Sequence, residues 1–193
     1  MGVIGKHGVS ATTPENILLG AGTIHKNLVW DNEANAWKGD IIGATSGGNS
    51  VEIKGEIIDI ELDGALVKVK GLAVMQGGTG TMEVNFAELS ADVMKMAMIG
   101  EEGVSDATGY TMIQAKANIS EGDYVQNFAF VGKTANDAKD IIVIMDNALC
   151  TSGLKIEGKA KENAVVKLTM EAYAENAGNL DRVPVRIYYP SAE

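Results

Sequence analysis

The segment Asp59-Ile-Glu61-Leu-Asp63-Gly64 imitates the start of a calcium-binding loop. Such a loop needs a bidentate glutamate at its twelfth position, and here that position is Lys70. Strand alternation with one acidic face accounts for the same spacing. Gly77-Gly78-Thr79-Gly80 suggests a phosphate cradle, but no Lys-Ser/Thr follows it and the dinucleotide-binding glycine spacing is absent. It reads as a flexible turn between a strand and a helix. The two histidines, His7 and His25, lack partners at metal-ligand or general-base spacing and read as exposed residues without a role. Cys150, the single cysteine, ends an apolar stretch with no basic neighbour to lower its pKa. It reads as a buried structural thiol. Asn118-Ile-Ser120 is a formal glycosylation sequon that matters only in a secreted chain. No nucleophile elbow and no His-Glu-x-x-His stands in the sequence. These residues point to no catalytic site, no cofactor and no metal, and so to a chain that is not an enzyme.

Composition narrows the partners. A net charge of −10 over 193 residues disfavours binding nucleic acid through a basic patch. One cysteine excludes an internal disulfide framework and fits a reducing cytoplasm. No apolar run of membrane-spanning length occurs, and the first residues lack the apolar stretch of a signal peptide. Gly2 is not followed by the Ser or Thr that myristoylation needs at the sixth residue, which is Lys6. At this length a single domain, 1–193, is expected.

The elements are mainly β. Residues 1–28 read as an extended arm, with room for one short strand, that needs a surface to lie on. Trp30 and Trp37 flank a turn around 31–35. Residues 51–74 read as one long hairpin with Asp63-Gly64 at its tip, a strong hairpin signal because both turn positions take positive φ. That register sets Ile60 against Val67, Ile58 against Val69 and Asp59 against Lys68, with Asp59, Glu61, Lys68 and Lys70 sharing the polar face. The apolar positions change parity at Ile57-Ile58, so either a bulge near there or a change in the side that is buried is expected. A helix is expected over 86–99, capped by Asn85 and stopped by Gly100. Its second apolar stripe, with Met94 and Met98, is a candidate interface with a neighbouring subunit. Strands are expected at 111–117, 124–131, 140–149 and 183–189. Residues 141–145 should form a central strand covered on both faces. A last hairpin over 154–173 should turn at 161–163 and pair Ile156 with Leu168 and Glu157 with Lys167. Eight to ten strands with one flanking helix make a β-sandwich or partly closed barrel.

The chain resembles the major tail proteins, or tail tube proteins, of long-tailed non-contractile bacteriophages and prophages. The residues that carry the likeness are Glu15-Asn-Ile-Leu-Leu-Gly-Ala-Gly22, Gly43-Ala-Thr-Ser-Gly-Gly-Asn49, Ile57-Ile-Asp-Ile-Glu-Leu-Asp-Gly64, Val69-Lys-Gly71 and Phe86-Ala-Glu-Leu89. The resemblance implies a virion structural protein, made and assembled in the host cytoplasm. Six copies would close into a ring, and rings would stack into a hollow tube that passes DNA without binding it by sequence. It implies contacts with other tail proteins, such as the tape measure and the tail terminator, and none with a membrane. Six chains of −10 each give a strongly acidic ring. Asp59, Glu61, Lys68 and Lys70 are the candidate lumen or inter-subunit residues. Distal tail and baseplate proteins share such a fold, and a β-sandwich binding module is the alternative. That alternative needs clustered exposed aromatics, for which Trp30 and Trp37 are the conspicuous pair.

Overall fold

The structure is a computed structural model and describes residues 9, 13, 17–134, 139–157 and 164–190. The first strand, β1 (Leu18–Asp31), turns through four residues into β2 (Ala36–Ile41). The Asp31 carboxylate accepts from the backbone N–H of Glu33 (2.8 Å) and of Ala34 (3.0 Å), which fixes this turn where Trp30 and Trp37 bracket it. The long β3 (Thr45–Asp59) pairs with β4 (Ala73–Phe86), followed by the helix α1 (Ala91–Met98). Two short strands, β5 (Gly100–Gly103) and β6 (Met112–Ala115), form a separate small sheet. Then come β7 (Val125–Thr134), β8 (Ile141–Cys150), β9 (Val166–Ala172) and β10 (Val185–Tyr188).

The main sheet is antiparallel throughout and runs β2-β1-β7-β8-β9-β4-β3, with β10 also on β8. It is not closed into a barrel. Ile24 on β1 nevertheless shares one core with Phe128 and Phe130 of β7, Val84 and Phe86 of β4, and Leu168 of β9. Residues far apart in the strand order can meet only if the sheet curls over one face. A second, smaller cluster of Leu28, Ala129, Ile142 and Ile144 covers the opposite face, with Trp37 against it. Strands β7 and β8 are therefore buried on both sides, as the continuous apolar run 141–145 demands.

In β1 and in β8 a left-handed asparagine switches which alternate residues face the larger core. Asn27 takes a left-handed conformation (φ 58°) and shifts the β1–β2 register, so Ile24 and Leu28 fall on opposite faces. Asn127 locks the bulge: its side chain accepts from the Leu28 N–H (3.2 Å) and donates to the Leu28 carbonyl (2.7 Å). At Asn147 (φ 46°) β8 switches alternation without a shift in its register with β7: Val143 and Met145 face the larger core before it, Ala148 and Cys150 after it. Before it β8 pairs with β10, and after it with β9.

Several expected boundaries move. Residues 18–28 of the expected arm are an inner strand of the sheet, and His25 lies half-buried within it. Most of 1–17, including His7, falls outside the described residues. The helix begins five residues later than its periodicity suggests, because Phe86 is fully buried as the last residue of β4, opposite Val166. Ser90 is the cap, its hydroxyl accepting from Val93 N–H at 3.2 Å. Asn85 instead donates to the Gly48 carbonyl (2.6 Å), and Glu88 accepts from Ala44 N–H (3.1 Å), pinning the crossing from β2 to β3. Ile99, in the left-handed region (φ 50°), ends the helix one residue before Gly100.

Among the described residues, the hairpin expected over 154–173 is not seen, and 154–157 form no strand. Leu168 pairs with Val84, and Lys167 forms an ion pair with Glu83 (2.8 Å), while Glu157 pairs with Lys155 (2.6 Å). The turn at 161–163 lies outside the described residues. Gly77-Gly78-Thr79-Gly80 is not a flexible turn but the middle of β4. A Cβ on Gly78 would sit 2.4 Å from Val183 Cγ2, and one on Gly80 2.3 Å from Val185 Cγ2. The glycines are there because another segment of chain crosses directly over them.

Candidate functional site

The most prominent surface is the outer half of the β3–β4 pair. From Glu52 outward every residue of β3 except Asp59 is exposed, and β4 becomes buried only from Gly80. Residues 52–79 thus form a two-stranded ribbon that leaves the body of the protein. An isolated ribbon of this kind is marginal in water by itself. Its register fixes which side chains share a face. Val51 and Ile53 lie on the side of the buried Met82, so Gly55 and Ile57 follow on that face and Ile58 points the other way.

β3 carries no bulge at Ile57-Ile58, and its apolar residues change faces there instead; the nearby bulge lies on the partner strand. Glu56 pairs with Gly77 and Ile57 with Met75, which leaves Gln76 as the extra residue. Because the insertion is in β4, the parity of β3 does not change, and both faces of the ribbon become apolar at its outer end. Ile57 is 64% exposed and its cross-strand partner Met75 67%. Ile58 and Val74 stand exposed on the reverse face.

The tip departs from the expected two-residue hairpin. Residues 60–72 form a loop with two turns. Ala65 N–H donates to the Leu62 carbonyl (3.1 Å), and Leu72 N–H to that of Val69 (3.1 Å). Only Gly64 in the first turn and Gly71 in the second have positive φ (85° and 94°). A turn with one positive φ, at its second central residue, does not match the twist of flanking strands as the doubly positive hairpin turn does. The ladder therefore stops at Asp59–Ala73, and the expected pairs Ile60–Val67 and Ile58–Val69 do not form. Leu66 and Val67 are left 99% and 77% exposed.

Of the four charged candidates, the loop brings two together. Lys68 Nζ lies 2.5 Å from Asp59 Oδ2. Its hydrogen bond and the charge of Asp59 raise the Lys68 pKa. Glu61 and Lys70 are exposed on the same loop. Met94 and Met98 are half-buried on α1, whose fully buried face is Val93 and Ala97. A Cβ on Gly100 would lie 3.0 Å from Met98 Cγ and 3.2 Å from Ile113 Cγ2, so Met98 sits beside the chain's own small sheet. Cys150 is buried. His25 has its pKa lowered by burial, against the opposing pull of the Gly39 backbone and Asp40, and Thr23 Oγ1 lies 2.9 Å from its Nε2. Among the described residues, no three His, Cys, Asp or Glu side chains are grouped to hold a metal. No described helix is long and apolar enough to cross a membrane.

What the sequence hid is how the chain's last described segment is used. Val183 and Val185 close over the ribbon's base. Beyond them Tyr188 packs on Trp37, with ring centroids 4.7 Å apart at 68°, and Trp37 on Trp30 at 5.5 Å and 71°. The paired glycines two residues apart were the available signal for the crossing.

No protein-family model and no curated protein matches the chain. Among solved structures, it is similar to one described as the tail of an empty gene transfer agent particle, refined with C6 symmetry. The match covers 82% of this chain and 96% of that one, at 12% identity and a TM-score of 0.43. The virion of the native gene transfer agent particle is similar over 80% of this chain and 92% of that one, at 14% identity and a TM-score of 0.40.

Proposed function

We propose that the chain is a structural subunit that assembles with copies of itself into stacked six-membered rings, forming the hollow tail tube of a phage-like particle through which DNA passes. The observation that carries this is the ribbon. It extends past its own body with apolar residues on both faces and at its tip, a surface that a lone soluble chain keeps small. The sheet also ends on open edges, since among the described residues β3 pairs only with β4 and β2 only with β1. Edge strands left bare recruit other strands, and closing a ring with neighbouring copies removes them. A charge of −10 per chain suits a wall past which DNA slides, because like charge keeps phosphate from sticking. Asp59, Glu61, Lys68 and Lys70 take part through the ribbon tip, either facing the lumen or gripping the next ring. Met94 and Met98 are the proposed helix contribution to a neighbour.

The test is the mass in solution against concentration, by light scattering coupled to size exclusion. The proposal expects growth from single chains to six-fold multiples and longer assemblies. A single compact mass at every concentration would count against it.

A further inference from the structure

We propose that the cleft between the β1–β2 turn and the chain's last described segment binds a hexose unit of a saccharide. The cleft has a volume of about 640 Å³, and its lining includes Trp30, Asn35, Trp37, Asp140, Tyr188 and Tyr189, together with Lys139. Its walls are aromatic rings with open surface: Trp30 is 43% exposed and Tyr189 58%. Its polar groups include a carboxamide, a carboxylate and an ammonium on exposed residues, besides the tyrosine hydroxyls. A pyranose ring offers the complement of both features, an apolar C–H face to lie on an aromatic ring and a rim of hydroxyls that donate and accept.

Other occupants fit less well. A purely apolar ligand would take the Asn35 carboxamide and the Asp140 carboxylate out of water without offering either a hydrogen bond, which is costly. A proline-rich peptide has few donors to offer the Asp140 carboxylate. A quaternary ammonium needs room between rings, but these rings touch one another at 4.7 and 5.5 Å. The turn and Trp37 are also held in place by the chain's own contacts. The Asp31 carboxylate holds the turn through two backbone N–H groups and forms an ion pair with Lys38. Trp37 is packed on the small core cluster of Leu28, Ala129, Ile142 and Ile144. Little ordering cost therefore falls on binding.

The chain's two tryptophans are both in this cleft, so intrinsic fluorescence reports on it directly. The experiment titrates the full chain with tetrasaccharides of glucose, galactose and N-acetylglucosamine up to about 10 mM, spanning the affinities of weak ligands. The expected result is a saturable shift of tryptophan emission with at least one of the three, weakened about tenfold or more in Asp140→Asn and in Tyr189→Ala. Thermal melting confirms that both variants fold, and Glu52→Gln, on the ribbon, should titrate as the parent does. No emission change with any of the three overturns the proposal. So does a shift that follows protein concentration without sugar, which would make the cleft a contact between copies. Neither result bears on ring assembly, which is read by mass.

Discussion

Replacing Ile57 by lysine together with Met75 by glutamate separates folding from assembly. The two residues face each other across the ribbon, about two thirds exposed in the single chain. Full burial of such a side chain is worth about 1.5–3 kcal/mol, so each has about 1–2 kcal/mol still to gain from a neighbouring copy. Losing both removes about 2–4 kcal/mol per contact, or about 30- to 700-fold in the association constant at about 1.4 kcal/mol per factor of ten. Within the chain the change should be small. The opposite charges retain a cross-strand attraction, and exposed substitutions shift stability by less than about 1 kcal/mol. Urea unfolding of the single chain should thus match the parent, while light scattering should show assembly displaced to much higher concentration. Two results refute the reasoning. Unchanged assembly would mean that this face of the ribbon touches no copy. A large loss of chain stability would mean that the ribbon is held by its own body.

Three further outcomes follow from the fold itself. Gly80→Val should destabilise the chain by about 1–3 kcal/mol in denaturant unfolding, since the added carbons enter the space of Val185 Cγ2. Ser90→Ala should cost about 1 kcal/mol by removing the acceptor for Val93 N–H, whereas Asn85→Ala should leave helix content by circular dichroism unchanged. Asp123 gives a pH dependence. Burial pushes its carboxyl up, but Lys116 at 2.5 and 2.6 Å, the Ser120 N–H and the Ser120 hydroxyl outweigh this and hold it below its ordinary value. The folded chain therefore takes up this proton less readily than the unfolded chain. The stabilisation is complete above the ordinary carboxylate range and fades as pH falls through the lowered value. Thermal melts in acid should show the parent losing stability more steeply than Asp123→Asn, and equal slopes would contradict this assignment.

The legible parts of the fold were those set by local pattern. Residues 141–145 announced a strand buried on both faces because no polar residue interrupts them, and 31–35 announced a turn between two tryptophan-bearing strands. The parity change at Ile57-Ile58 marked where the apolar residues of β3 change faces; the neighbouring bulge in β4 does not cause it, because β3 keeps its alternation. What stayed hidden depends on distant partners. Phe86 fits helical spacing as well as strand burial, and only its position opposite Val166 decides for the strand. Asp63-Gly64 signals a turn correctly, yet the second turn at Gly71 diverts the chain, so the outer register is lost while Asp59 and Lys68 still meet. The aromatic cleft joins residues about 150 positions apart, a distance that periodicity does not reach.

The most direct test of the central claim is an electron micrograph of the purified chain at high concentration. If the exposed ribbon and bare strand edges serve contact with identical copies, the field should hold rings of uniform diameter with a central hole, some stacked into tubes. A field of separate compact particles under those conditions would contradict the account.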